Sequence, residues 1–347
     1  MNQDEGLNCN PVQHLEFYNI NLNAWCKVNG FDMPSPRSFF AGEILDECKL
    51  HLFGGFNGEE FSLKCQKFDL MSGEWSDLPQ MAKERVDRCY ASATEMDGEI
   101  YVSGGHHKRA QNKARSVEKF NPVVNAWSQV PNLTSARCEA ALVNLNGCLY
   151  VIGGFDGVAV LSSVEKLEPD SRWTFSARMI RQRSGLGAVA LPGCILVFGG
   201  HDGFQRLADG EKFNPDSETW TLLAPMVQAR SNFGIASIGR LVFAVGGYGG
   251  PEPGQPLAEV EAYDPSIDKW FPVEKMLSPR SGLIACVADN LQLALKVWGT
   301  EERKGCVLLT SSLEKDSHQQ EHAGGLSTPM LDPLPNGWLQ NNTNENA

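Results

Sequence analysis

The fold is decided by RCEAALVNLNGCLYVIGGFDGVAVLSSVEKLEPDSRWTF, residues 137–175. Two short apolar runs, EAALVNL (139–145) and CLYVIGG (148–154), flank Asn146-Gly147. An Asn-Gly pair between such runs is a strong hairpin signal. SSVEKLE (162–168) then alternates until Pro169-Asp170 breaks it, and RWTF (172–175) supplies a fourth run. Four β-rich runs with a turn signal after each predict four antiparallel strands. No long amphipathic pattern intervenes, so alternating βα units are excluded and the class is all-β.

The same pattern recurs along the chain. Glycine doublets close short apolar runs at Gly54-Gly55, Gly104-Gly105, Gly153-Gly154, Gly199-Gly200 and Gly246-Gly247, at intervals of 50, 49, 46 and 47 residues. Trp25, Trp75, Trp127, Trp173, Trp220 and Trp270 keep the same beat. Tyr18, Phe68, Phe120, Phe213 and Tyr263 stand seven residues before their tryptophans, and Leu167 six before Trp173. An arginine follows each tryptophan: Arg37, Arg88, Arg137, Arg183, Arg230 and Arg280. Self-similarity at this period marks a repeat architecture.

One four-stranded unit cannot bury both faces alone, so neighbours must stack. Four twisted strands stacked radially make a propeller blade. The doublets suit close backbone approach, and the paired aromatic and tryptophan suit packing between blades. Five units run complete from Arg to Trp: 37–75, 88–127, 137–173, 183–220 and 230–270. FYNINLNAW (17–25) is the back half of a unit and RSGLIACVADNLQLALKVWG (280–299) a front half. Joined, they make a sixth blade and remove two exposed strand edges. The sixth doublet is degraded to Trp298-Gly299, and TSSLEK (310–315) echoes LSSVEK (161–166), competing with the N-terminal strand for one place. The expected organisation is an arm at 1–14, a six-bladed propeller at 15–300, and a tail at 301–347, mostly disordered because 316–347 is polar with scattered prolines.

Composition narrows the function. Thirty Lys+Arg against 42 Asp+Glu give a net charge of −12, which disfavours nucleic-acid binding across the whole chain. No apolar run is long enough to cross a membrane. The N-terminus MNQDEGLNCN lacks the shape of a secretion signal. Ten scattered cysteines include no Cys-x-x-Cys pair. They read as reduced thiols, placing the chain in the cytoplasm, or alternatively the nucleus. Sequons at Asn132 and Asn341 carry no weight in that compartment.

A period near 50 residues with Gly-Gly, a spaced aromatic and Trp resembles the kelch repeat, one blade per repeat. FDG…SSVEKLEPDSRW (155–173) and HDG…EKFNPDSETW (201–220) are similar to repeats of the kelch-like adaptor proteins. The resemblance covers residues 15 to 300. It implies a six-bladed kelch β-propeller and, by the family's usual role, substrate recognition for ubiquitin ligases. The BTB and BACK domains that precede such propellers are not expected, because the repeat starts within the first 20 residues.

Two groups are candidate partner-binding residues. The six arginines precede the first strand of their blades, on loops that share one end of a propeller with those after the doublets. As a cationic mouth, Arg37, Arg88, Arg137, Arg183, Arg230 and Arg280 would grip an acidic or extended peptide, or a phosphopeptide, through bidentate forks. The competing reading has each Arg bond a neighbouring backbone carbonyl and hold the blades together. The loops after the doublets differ in length and chemistry over regular strands, as binding loops do. They offer His106, His107, Lys108 and Arg109, and Phe56, Phe155, His201, Phe204 and Tyr248. His106, His107 and His201 show no metal-ligand spacing, and Asp156 and Asp202 read as turn formers. No catalytic signature, metal or cofactor is expected, although some kelch propellers are enzymes. The expected function is a non-enzymatic protein-binding module, with a cullin-ligase component or actin as alternative partners, and no nucleic acid or membrane.

Overall fold

The computed structural model describes residues 10–11, 13–81, 88–107, 113–250, 254–288, 306–310 and 313–314. No helix occurs among them. By its contacts the chain divides into Met1–Glu314, which holds every described residue, and Lys315–Ala347.

Six four-stranded antiparallel sheets form, each pairing its strands in meander order. Blade I is Ala41–Leu45, Lys49–Phe53, Cys65–Asp69 and Glu74–Leu78. Blade II is Ser92–Met96, Glu99–Ser103, Val117–Asn121 and Ala126–Val130. Blade III is Ala141–Leu145, Cys148–Ile152, Val164–Leu167 and Trp173–Ser176. Blade IV is Gly187–Leu191, Cys194–Phe198, Gly210–Asn214 and Thr219–Leu223. Blade V is Gly234–Ile238, Leu241–Val245, Val260–Asp264 and Lys269–Val273. Blade VI joins Ile284–Ala288 and Cys306–Thr310 to Glu16–Asn19 and Ala24–Lys27. The first strands of the blades neighbour one another in order, and that of blade VI returns to that of blade I.

Local chemistry explains the strands. Asn146 and Gly147 take φ of 53° and 78°, the double positive φ of the hairpin turn whose twist matches its strands. Second strands lie between two others and read as apolar runs; CILVF (194–198) is buried at every position. The aromatic and the tryptophan seven residues on are cross-strand partners: Phe68 faces Trp75, Phe120 faces Trp127 and Phe213 faces Trp220. Leu167 faces Trp173 in the same way across a turn one residue shorter. The tryptophans also reach the preceding blade. The indole N–H groups of Trp127, Trp173 and Trp220 donate to the carbonyls of Pro79, Pro131 and Ala177 at 2.8, 2.8 and 2.9 Å. Trp25 closes the series by donating to Glu274 O across the junction of blades V and VI.

Blade VI corrects the expected boundary. Its second strand is Cys306–Thr310, which pairs Ile284–Ala288 on one side and Glu16–Asn19 on the other. The propeller therefore extends beyond residue 300, and the segment 289–300, including Trp298-Gly299, lies outside the described residues. CVLLT is an unbroken apolar run suited to a strand between two others, whereas LALKVWG carries Lys296 at its centre. TSSLEK does not displace the N-terminal strand. Its Leu313–Glu314 pairs with Asn10–Pro11 of the expected arm in a separate two-stranded ladder. The expected tail residues 316–347 lie outside the described residues.

Candidate functional site

The six arginines do not form a cationic mouth. Arg88 is 2% exposed and the other five 0%. Their charge is matched inside the blade: Arg88, Arg137, Arg183 and Arg230 reach Glu118, Glu165, Glu211 and Glu261 at 3.0, 2.6, 3.0 and 2.6 Å. Arg280 pairs with Glu16 of the N-terminal strand. A buried guanidinium needs such a partner because desolvating an unmatched charge costs several kcal/mol. In blade I the equivalent position is Gln66, and Arg37 donates to Ser62 Oγ at 3.5 Å. Burial pulls Arg37 down to about 10.

Four of the six arginines, Arg137, Arg183, Arg230 and Arg280, also donate to backbone carbonyls, the contact that the competing sequence reading expected of every one. Arg137, Arg183 and Arg230 donate to the carbonyls of Gly153, Gly199 and Gly246, the first glycines of their own doublets, at 2.8, 2.9 and 2.8 Å. The glutamates fix the loop entering the blade. Glu165 accepts the amides of Thr134 and Ser135, Glu211 those of Ile180 and Arg181, and Glu261 those of Val227 and Gln228. Pro34 occupies the matching place before Arg37, so blade I lacks that amide, and Gln66 stands where the other blades place a glutamate.

The doublets lock one blade to the next. The amides of Gly55, Gly105, Gly154, Gly200 and Gly247 donate to the carbonyls of Arg88, Arg137, Arg183, Arg230 and Arg280. A Cβ on Gly199 would stand 2.6 Å from Arg230 O, at a φ of +60°. Only glycine allows that approach.

Two residues after each arginine lies a collar that the sequence reading missed. Phe39, Tyr90, Glu139, Gly185, Asn232 and Gly282 all have φ between 51° and 65°. Each amide donates to the carbonyl of the collar residue before it, and Phe39 N closes the circle on Gly282 O at 2.8 Å. Six backbone bonds thus join six blades in one ring. Below the collar, the first strands enclose a cavity of about 470 Å³. The constant offset from each arginine was the available signal, but Phe, Tyr, Glu, Gly, Asn and Gly share no chemistry.

Antiparallel pairing puts the loops after the doublets and the loops before the arginines at the same end of every blade, as expected. Their residues are not equivalent. Phe56, His106, Phe155, His201 and Tyr248 each pair by backbone with the residue after an arginine, so they are anchored. Phe56 is buried, whereas Phe155 lies half-buried under Lys113 Nζ and Tyr248 under Arg206. His106 packs edge-on to Phe61, and His201 Nδ1 accepts the amide of Gly203. His107 pairs through its backbone with Arg88. Lys108 and Arg109 lie outside the described residues. Among the candidates whose burial is described, Phe204 alone stands out, at 89% exposed, on a turn whose amides bond Asp202 Oδ1. Val158 occupies the same place in blade III, 91% exposed on the Asp156 turn. Ile180, Val227 and Leu277, three residues before their arginines, are 55, 77 and 57% exposed. Their amides are pinned by the buried glutamates. Sequence reading missed these aliphatics because nothing in an isolated Ile or Val marks it as surface.

A closed ring of four-stranded meanders, with a doublet, a buried Arg and a Trp paired across strands to an aromatic (to Leu167 in blade III) in each complete repeat, defines a kelch-type β-propeller. The chain belongs to the kelch-repeat family: residues 2–177 match the KLHDC2/KLHL20/DRC7 Kelch-repeats domain, and residues 182–227 and 229–277 match the Kelch motif. It is 29% identical to Kelch-like protein 25 of Xenopus tropicalis over 74% of this chain and 44% of that protein. It is 28% identical to Kelch repeat-containing protein kel-10 of Caenorhabditis elegans over 51% of this chain and 31% of that protein. It is 22% identical to Kelch-like protein 26 of Danio rerio over 87% of this chain and 52% of that protein. The chain thus spans at most about half the length of these relatives.

Proposed function

We propose that the chain is a non-enzymatic protein-recognition module whose partner sits on the loop face, in the cytoplasm or nucleus. One observation carries the reading: Val158, Ile180, Phe204, Val227 and Leu277 are exposed at one end of blades III to VI. Their backbones are held by Asx turns and by buried glutamates. Rigidly presented apolar side chains lose little entropy on docking, which is what a binding surface needs. Exposed apolar residues gathered on one face mark interaction sites. Likeness to the kelch-like proteins supports a role as the substrate-recognition part of an adaptor for ubiquitin ligases. The partner contacts are apolar side chains and loop edges rather than the arginine series.

The test is affinity capture with mass spectrometry, comparing the unaltered chain with Phe204→Ala combined with Val227→Ala. Loss of the captured partner at an unchanged melting temperature is expected. Capture of the same partner by the double variant would remove the assignment of the face.

A further inference from the structure

Among the described residues, the lining of the axial cavity includes two carboxylates, Glu43 and Glu139, and no lysine, arginine or histidine. Its volume of about 470 Å³ is in the range of small-ligand sites. At its mouth the collar side chains Phe39, Tyr90, Glu139 and Asn232 are half-buried, so solvent reaches them. The Phe39 and Tyr90 rings lie 4.3 Å apart between centroids. Glu139 is the next collar residue, its amide bonded to Tyr90 O.

We propose that a lysine or arginine side chain of the bound partner segment enters this collar and sets its cation against the Glu139 carboxylate beside the Tyr90–Phe39 pair. The proposal rests on the loop face being the partner surface, since the collar opens among those loops. A cation is favoured by both features: ring faces attract it, and a carboxylate in a partly dried site binds it more strongly than in water. An anionic guest would meet two carboxylates and no base among the described lining residues. The carboxylates are also short of compensation. Burial holds Glu139 above the usual carboxylate range, against the pull of the Ser184 hydroxyl and the Lys113 charge. Burial, with Glu95 adding to it, pushes Glu43 up to about 7. Lys113, whose Nζ lies 5.5 Å from the centroid of the Phe155 ring, favours the Glu139 carboxylate by its charge, so a guest cation competes with it.

The experiment titrates the full chain with the capped tripeptides Ac-Gly-Arg-Gly-NH2, Ac-Gly-Lys-Gly-NH2 and Ac-Gly-norleucine-Gly-NH2, followed by NMR. The basic peptides are expected to bind and the norleucine peptide not. Loss of one charge-assisted contact in Glu139→Gln weakens binding about tenfold, while Lys113→Met tightens it and Glu60→Gln, on an exposed loop, leaves it unchanged. Melting curves of each variant establish that it is folded. Equal binding of all three peptides, no binding of any, or indifference to both Glu139→Gln and Lys113→Met overturns the proposal. If the basic peptides fail while partner capture still depends on Phe204 and Val227, the collar assignment falls and the loop-face reading stands. If they bind while capture does not depend on those residues, the collar's affinity for a cation stands and the assignment of Phe204 and Val227 as partner contacts falls.

Discussion

Arg183 shows how one residue type can serve structure while looking like a binding device. Its guanidinium donates to Glu211, to Gly199 O and to Asp209 O, and is 0% exposed. Glu211 in turn holds the amides of Ile180 and Arg181. Removing the cation strands a buried carboxylate and loosens the loop that carries Ile180. Arg183→Ala is therefore expected to cost about 3–5 kcal/mol, the typical effect of deleting one partner of a buried pair. Denaturant titration checks it: a midpoint within error of the unaltered chain would mean the node contributes nothing. Arg183→Lys is expected to recover only part of the loss, because an ammonium cannot reproduce the planar fork.

Among the elements, the strand Glu16–Asn19 has the largest consequences. It covers the edge of Cys306–Thr310 and supplies the carboxylate for Arg280, a contact between residues 264 apart in sequence. Phe17 and Tyr18 are 0 and 1% exposed, each side chain contributing about 1.5–3 kcal/mol by burial. Without this segment, blade VI presents an open strand edge, which templates association. Deleting residues 1–19 is expected to yield oligomers in size-exclusion chromatography and a broadened unfolding transition. A monomer with unchanged cooperative unfolding would show that the N-terminal strands do not close the ring.

At the scale of the whole ring, the axial cavity sets a pH dependence. Glu43 lies in its wall, and burial together with Glu95 raises its carboxyl from 4.5 to about 7. Facing it is Cys286, whose thiol is itself pushed up by burial and by the Glu43 charge. Between pH 4.5 and 7 the folded chain keeps a proton that the unfolded chain has released, so this group's contribution is full below 4.5 and falls until pH 7. Glu43→Gln is expected to abolish that slope and to raise stability at pH 8 by about 1–3 kcal/mol. Denaturation midpoints at pH 4.5 and 8 test it, and parallel curves for the two proteins would refute it.

Much of the ring was legible in the residues. The doublets, the Phe/Tyr–Trp spacing and the Asn-Gly turn depend on local geometry. A φ of +60° at Gly199 or a cross-strand pair such as Phe213 with Trp220 leaves its mark within one repeat. The splice of the two termini was legible for the same reason, as two half-patterns. The strand that fills blade VI was not. Cys306–Thr310 wins its place by pairing simultaneously with residues 284–288 and 16–19, and the one local signal in its favour, an apolar run without the Lys296 that interrupts 293–299, is too short to outweigh the residual Trp298-Gly299 pattern.

The candidate site divides in the same way. That six arginines recur in phase is a property of the amino-acid order. For five of the six, whether they face solvent or the blade interior depends on Glu118, Glu165, Glu211, Glu261 and Glu16 arriving from other strands to neutralise them. The collar and its cavity arise only when six blades meet, because a backbone bond from Phe39 to Gly282 joins residues at opposite ends of the repeat array. Sequence by itself determined the repeat, its strands and its turns, since these are interactions between near neighbours. Tertiary structure decided which charges are buried, which aliphatics are displayed and what lines the axis, since burial belongs to the assembled ring and not to any one residue.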